Sequence, residues 1–180
     1  MTSIYGTDPS WILNYRKTIP TLQRPNRGLD TNKFTISGLL QNNEDFSIFN
    51  FLVRRAKLEC IFDQYVTDLT VFVPSDSSLR QIYDDSLWVS IDYLAAKNIV
   101  LAHILERKVT KEMLMSSEGL RHTTKHRTGP YCSFISSYNP QNQNIVLNSN
   151  AKVVDSNMMI NNGIIHTLDN LIFSPDCSIN

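Results

Sequence analysis

The chain has 180 residues, enough for one domain with a tail and for a core that needs neither disulfides nor metals to hold it. Its composition is 42% hydrophobic and 19% charged, with Lys+Arg and Asp+Glu balanced at 17 each, so no whole-protein field draws it to nucleic acid or to a membrane surface. No apolar run approaches the ~20 residues that cross a bilayer, and the three widely spaced cysteines give neither a disulfide framework nor a zinc pattern.

Residues 1–35 read as an N-terminal arm. Pro9, Pro20 and Pro25 break any helix, and "RPNRGLDTN" is a turn-rich linker. Trp11, Ile12, Leu13 and Tyr15 make the arm too apolar for a plain tail, and they are its candidate partner-binding residues. The segment shows no basic start with a long apolar stretch, so no secretory signal is read in it. The chain also lacks any N-x-S/T glycosylation site.

Residues 46–65 carry the clearest helical period, with Phe49, Leu52, Val53, Ala56 and Cys60 on one stripe and Asn42 or Asn43 as the cap. "LTVFV", 69–73, reads as a buried strand stopped by Pro74. Ser75 and Asp76 then offer an N-cap for a short helix through Tyr83. Two more helices are predicted over 87–95 and 97–106, the second carrying His103 on a helix face.

After residue 107 short β-type runs alternate with turn residues: "GLRHTTKH", "YCSFISSY", "NIVLNS", "AKVVDS", "GIIHTLD" and "LIFS". Asn139-Pro140 and Asn162-Gly163 are turn signals. Helices crowd the first half and strands the second, which predicts an α+β fold with mainly antiparallel sheets. Cys60, Cys132 and Cys177 read as reduced, mostly buried thiols, with one intermolecular disulfide as the sharper alternative.

The candidate chemistry is thin. In a regular strand His166 and Asp169 point to opposite faces, so they cannot form a relay; His166 reads as a core histidine and Asp169 as a strand-end backbone partner. His103 reads as a satisfied, partly buried histidine. Ser75 lies in "VPSDSS", outside a G-x-S-x-G elbow, and its hydroxyl suits a cap better than a triad with His103 and Asp169. Cys132 with a histidine depends on geometry that sequence does not give. His122 and His126 are four apart in a β-rich region, where that spacing spans ~13 Å, so "RHTTKHR" reads as a surface loop rather than a metal site. Arg121, Lys125 and Arg127 form the one basic cluster, a candidate contact for an acidic protein face or a polyanion; no aromatic platform accompanies it in a nucleic-acid pattern.

Two stretches resemble a known family. "TVFVPSDSSL", 70–79, is similar to the first signature of the fasciclin-I domain, matching at Thr70, Phe72, Pro74, Ser75 and Asp76. "NSNAKVVDSNMMINNGIIHTLDNLIFSP", 148–175, resembles its second signature, matching at Asn150, Ala151, Val153, Asn162, Gly163, Ile165, His166, Asp169 and Pro175. "LAHIL", 101–105, stands where that family has a Tyr-His segment, with Ala102 in place of the tyrosine. The resemblance covers about 36–176, leaving the arm 1–35 and a tail 177–180. It implies two small, mainly antiparallel sheets at a steep angle, with helices along one edge, and a non-enzymatic role in adhesion or assembly, without cofactor or metal. The expected partners are other proteins, capsid or neighbouring subunits through the arm, with no membrane span. The expected setting is a virion or another assembly built inside the cell, such as the minor capsid layer of a large DNA virus. The alternative is an extracellular adhesion domain.

Overall fold

A computed structural model describes residues 35–63, 68–116, 121–124 and 132–173. The arm residues Trp11, Ile12, Leu13 and Tyr15 lie outside the described residues, as do Lys125, His126, Arg127, Pro175 and Cys177. The helices are α1 (Ile36–Asn42), α2 (Ser47–Arg55), α3 (Glu59–Phe62), α4 (Asp76–Ile82), α5 (Asp85–Ser90), α6 (Tyr93–Ala102) and α7 (Lys111–Ser116). The strands are β1 (Leu69–Pro74), β2 (Ile104–Leu105), β3 (Arg121–Thr124), β4 (Cys132–Asn139), β5 (Asn144–Leu147), β6 (Ala151–Ile160) and β7 (Gly163–Leu168).

The strands run in the order β2-β1-β7-β6-β5-β4-β3. All pairs are antiparallel except β1 with β7, which are parallel from Leu69↔Gly163 to Pro74↔Leu168. The long strand β6 serves both halves: Ala151 and Lys152 pair with β5, whereas Val153 to Ile160 pair with β7 across register shifts. Such shifts bend a strand and raise its twist. The sheet therefore curls, and β2 and β3, at opposite ends of the order, come to lie against each other. The expected α+β class holds.

Alternation along β1 divides the interior in two. Leu69, Val71 and Val73 face the helices and join Phe49, Leu52, Trp88, Leu101 and Ile165 in the larger core. Phe72 faces the other way, into a second core with Leu105, Leu114, Phe134, Ile145, Leu147, Ala151 and Leu168. A strand buried on both faces reads as a near-continuous apolar run, which is why 69–73 was legible.

Several sequence expectations are corrected. The helix over 46–65 breaks: α2 ends at Arg55, Lys57 takes a left-handed φ of 55°, and α3 starts only at Glu59. Phe49, Leu52, Val53 and Ala56 are buried as expected, but the break turns Cys60 outward, and its thiol is free and exposed rather than buried. Asn43, one of the two expected caps, accepts from the Asp45 amide at 3.0 Å. The helices expected over 87–95 and 97–106 are instead 85–90 and 93–102, capped by Asp84 and Asp92. Ile104–Leu105 leaves the helix to pair with β1. Residues 111–116, expected in β-type texture, are helical, and "LIFS" adds no strand over its described residues 171–173.

Candidate functional site

The signature residues gather where the two cores meet, and each bonds the fold to itself. Ser75 caps α4, its Oγ accepting from the Ser78 amide at 3.3 Å, a contact worth about 1 kcal/mol. Asp76, the first residue of α4, reaches across to the start of α2. It accepts from the Ile48 amide at 2.9 Å and from the Ser47 hydroxyl. Asp45 returns the favour, accepting from the Ser77 amide at 2.9 Å. Two helix starts are thus tied by each other's carboxylates, where the helix dipole favours negative charge. Burial dominates for Asp76 and raises its carboxyl to a pKa of about 6, against the lowering pull of Ser47, Ile48 and Arg80.

Thr70 pins the loop that follows β2. Its hydroxyl donates to the Arg107 carbonyl at 2.7 Å and accepts from the Val109 amide at 2.8 Å. Thr70→Val would keep the shape and orphan a buried amide, so a loss of about 2 kcal/mol is expected in urea denaturation. An unchanged midpoint would show that water replaces the hydroxyl.

Asn162 ties three elements together. Its Oδ1 accepts from the Ile36 amide at 2.9 Å, and its Nδ2 donates to the Phe62 carbonyl at 3.0 Å. Its own carbonyl meets the Leu69 amide at 3.5 Å. Gly163 is required for proximity: a Cβ there would lie 2.2 Å from the Leu69 carbonyl oxygen. Its φ is not left-handed, so the conformational reason suggested by Asn-Gly is not the operative one.

The three described histidines are all buried, and each is paired with a phenylalanine. His103 lies 5.7 Å from Phe49, His166 stacks at 5.3 Å on Phe72, and His122 stacks at 5.0 Å on Phe134. Hydrogen bonds engage both nitrogens of every ring. His103 donates from Nδ1 to the Ile99 carbonyl at 2.6 Å and accepts at Nε2 from the Ile172 amide at 2.9 Å. It sits in the turn that ends α6, not on a helix face. His166 donates from Nε2 to the Val109 carbonyl at 2.8 Å and accepts at Nδ1 from the Asn157 amide at 3.3 Å. His122 accepts at Nδ1 from Arg107 at 2.9 Å and donates from Nε2 to Ser136 Oγ at 2.9 Å. The surface-loop expectation for His122 is therefore wrong: it is a buried strand residue that joins β3 and β4 to the loop after β2.

Burial holds all three imidazoles neutral. It lowers His103 and His122 to pKa values of about 4, helped at His122 by the Arg107 charge, and it lowers His166 as well. Asp169 accepts from the Lys152 amide at 2.7 Å and returns its own amide to the Lys152 carbonyl at 3.1 Å. His166 and Asp169 thus serve different neighbours, as strand alternation requires. Ser75, His103 and Asp169 do not hydrogen-bond to one another. Among the described residues no group of three or more His, Cys, Asp or Glu side chains could hold a metal ion, and no helix is long and apolar enough to cross a membrane. Of the basic cluster, the backbone of Arg121 is placed in β3, opposite Ile135.

Sequence reasoning missed Asn157. It sits at the β6 irregularity with φ 59° and caps α7 by accepting from the Lys111 amide at 2.7 Å. An Asn in a β-type run is the one signal that could have found it, since Asn tolerates left-handed backbone.

Comparison with known proteins follows the same lines. A family model described as "Fasciclin domain" matches residues 44–175. The fold is similar to that of a FAS1 domain pair from the insect cell adhesion molecule Fasciclin I, with a TM-score of 0.64 at 18% sequence identity. The similarity covers 80% of this chain and 52% of that one, so the chain spans about half the length of the pair. No curated protein matches the sequence.

Proposed function

Because the chain belongs to the fasciclin domain family, we propose that it works as a protein–protein interaction module of the adhesion type, without catalysis. One observation carries this reading: the signature side chains Thr70, Ser75, Asp76, His103, Asn162, His166 and Asp169 direct their hydrogen bonds into the fold. They build a scaffold, and what the scaffold offers is its surface. Surface complementarity, rather than a reacting group, is then the mechanism.

Beads coated with the full chain test it. Saturable attachment to cell surfaces, competed by the soluble chain, is the expected result. Attachment no better than to beads coated with an unrelated protein would overturn it.

The finer reading, a cementing subunit of a large particle such as a minor capsid layer, rests on the apolar residues of the arm, Trp11, Ile12, Leu13 and Tyr15. Purification from the source at native mass, with and without reductant, separates the two. Co-purification in a large particle favours cementing, and a mass change on reduction assigns a cysteine crosslink. A free monomer outside the cell leaves adhesion.

A further inference from the structure

The run of short helices α4 to α6 carries apolar side chains that the domain itself leaves uncovered. Five of the ten large apolar residues exposed among the described residues fall between 82 and 94: Ile82, Leu87, Val89, Tyr93 and Leu94. Ile82 and Leu94 are 52% and 53% exposed. Apolar side chains gathered in this way mark a surface that something covers, whereas scattered single ones do not. The middle helix of the run, α5, is thinly anchored. Trp88 is its one buried residue, and the indole N–H finds no acceptor among the described residues.

Charge narrows the occupant. Residues 82–94 hold three aspartates and no Lys or Arg. Asp85 lies 3.8 Å from Arg80 and is already paired. Asp84 and Asp92 cap α5 and α6 by accepting from the Ser86 and Ala95 amides, and both stay exposed, without an ion pair among the described residues. Lys97, the next cation along the chain, has its ammonium 5.8 Å from the centre of the Tyr93 ring. The matching ligand is therefore an apolar segment with cations directly beside it.

The chain supplies such a segment. Trp11, Ile12, Leu13 and Tyr15 are followed at once by Arg16 and Lys17, and over residues 1–34 Lys and Arg outnumber Asp and Glu by five to two. Extended, Trp11, Leu13 and Tyr15 project to one side. About 20 residues separate Tyr15 from Thr35, where the described structure starts. They can span about 65 Å, against about 37 Å across a domain of this size, so every face of their own domain is within reach. A tether this short holds its end at a millimolar effective concentration, far above that of a second copy at micromolar protein.

From this match we infer that the N-terminal arm folds back on its own domain, with Trp11, Leu13 and Tyr15 seated on the apolar surface of α4 to α6 and Arg16 and Lys17 beside Asp84 and Asp92. The inference does not depend on the adhesion reading, because it concerns which face of the scaffold the chain's own arm occupies.

The test keeps the full chain, ¹⁵N-labelled, and compares it with W11S/L13S. The amides of Leu87, Val89, Tyr93 and Leu94 should shift more than those elsewhere in the domain, and the spectrum of the parent should be unchanged on about tenfold dilution. Limited trypsin digestion reads the same contact from the arm, since cleavage follows the population of the open form. Cleavage after Arg16 and Lys17 should be about fivefold faster or more in L87S/L94S, whose substituted side chains lie outside the core. D84N/D92N keeps both caps, because Asn caps as well as Asp, and should also speed cleavage, as should about 0.5 M NaCl. Amides of 82–94 that do not respond to W11S/L13S, or cleavage that is equal in the parent, L87S/L94S and D84N/D92N, would overturn the proposal. Shifts that disappear on dilution together with a doubled native mass would overturn it too, by placing the arm on a second copy.

Discussion

Gly163→Ala is expected to cost about 3 kcal/mol or more, enough to unfold much of a domain of ordinary stability. The added methyl would sit 2.2 Å from the Leu69 carbonyl oxygen, 3.0 Å from its carbon and 3.1 Å from Ile36 Cδ1. The nearest two are backbone atoms, which cannot swing aside as a side chain does. Relief requires β1 and β7 to separate at their first paired position, Leu69↔Gly163. That position also holds the Asn162 links to Ile36 and Phe62, so the helical layer would move with the strands. Urea denaturation followed by tryptophan fluorescence checks this, since Trp88 is fully buried in the larger core. A variant whose midpoint equals that of the parent would show that the two strands part at little cost.

Stability should fall as pH drops from 7 to 5. The unfolded chain binds a proton on each histidine near pH 6.5, whereas His103 and His122 resist protonation in the fold down to about pH 4. Below pH 6.5 the unfolded state therefore holds more protons, and acid favours it. At pH 5 each of these two histidines removes about 2 kcal/mol, and His166, lowered in the same direction, adds to the loss. At His122 the incoming proton also meets the Arg107 guanidinium, 2.9 Å from Nδ1.

Asp76 works the other way. Its folded pKa of about 6 lies above the unfolded value of 3.8, so between those limits the folded state binds the extra proton. Acidification to pH 5 then returns about 1 kcal/mol. The net expectation is a loss of about 3 kcal/mol or more, measured as the shift of the urea midpoint between pH 7 and pH 5. Asp76→Asn removes the opposing contribution and should steepen the acid loss. Stability that stays flat over this range, in parent and variant alike, would mean that the three rings titrate normally and are less enclosed than they look.

Elements set by local chemistry were legible in the sequence. The β-branched run before Pro74, the Ser75 cap and the alternation of 163–168 each need only neighbours a few residues away. So was the sense of the candidate site, because His166 and Asp169 three apart on a strand face opposite ways wherever that strand lies. What escaped depends on distant partners. The helical stripe from Phe49 runs on to Cys60 in the sequence, yet packing against α6 and the turn at Lys57 end the helix early. Residues 111–116 fold as a helix whose first amide is satisfied by Asn157, 46 residues along the chain. His122 reads as surface because its immediate neighbours are polar. Its burial comes from Phe134 and Ser136 on the paired strand β4, and from Arg107, which the curl of the sheet brings to it.

The parallel pairing of β1 with β7 also sets the order of assembly during synthesis. β1 leaves the ribosome well before its main partner and remains without it until residues 163–168 follow. The intervening helices and hairpins can form as they emerge, but the strand that separates the two cores is completed last. A chain released before Asn162 would leave β1 without its parallel partner, and a nascent chain must carry it that way while residues 75–162 are made. Closing so long a loop before its contacts reward it makes folding slow, and it gives chaperones a long interval in which to act.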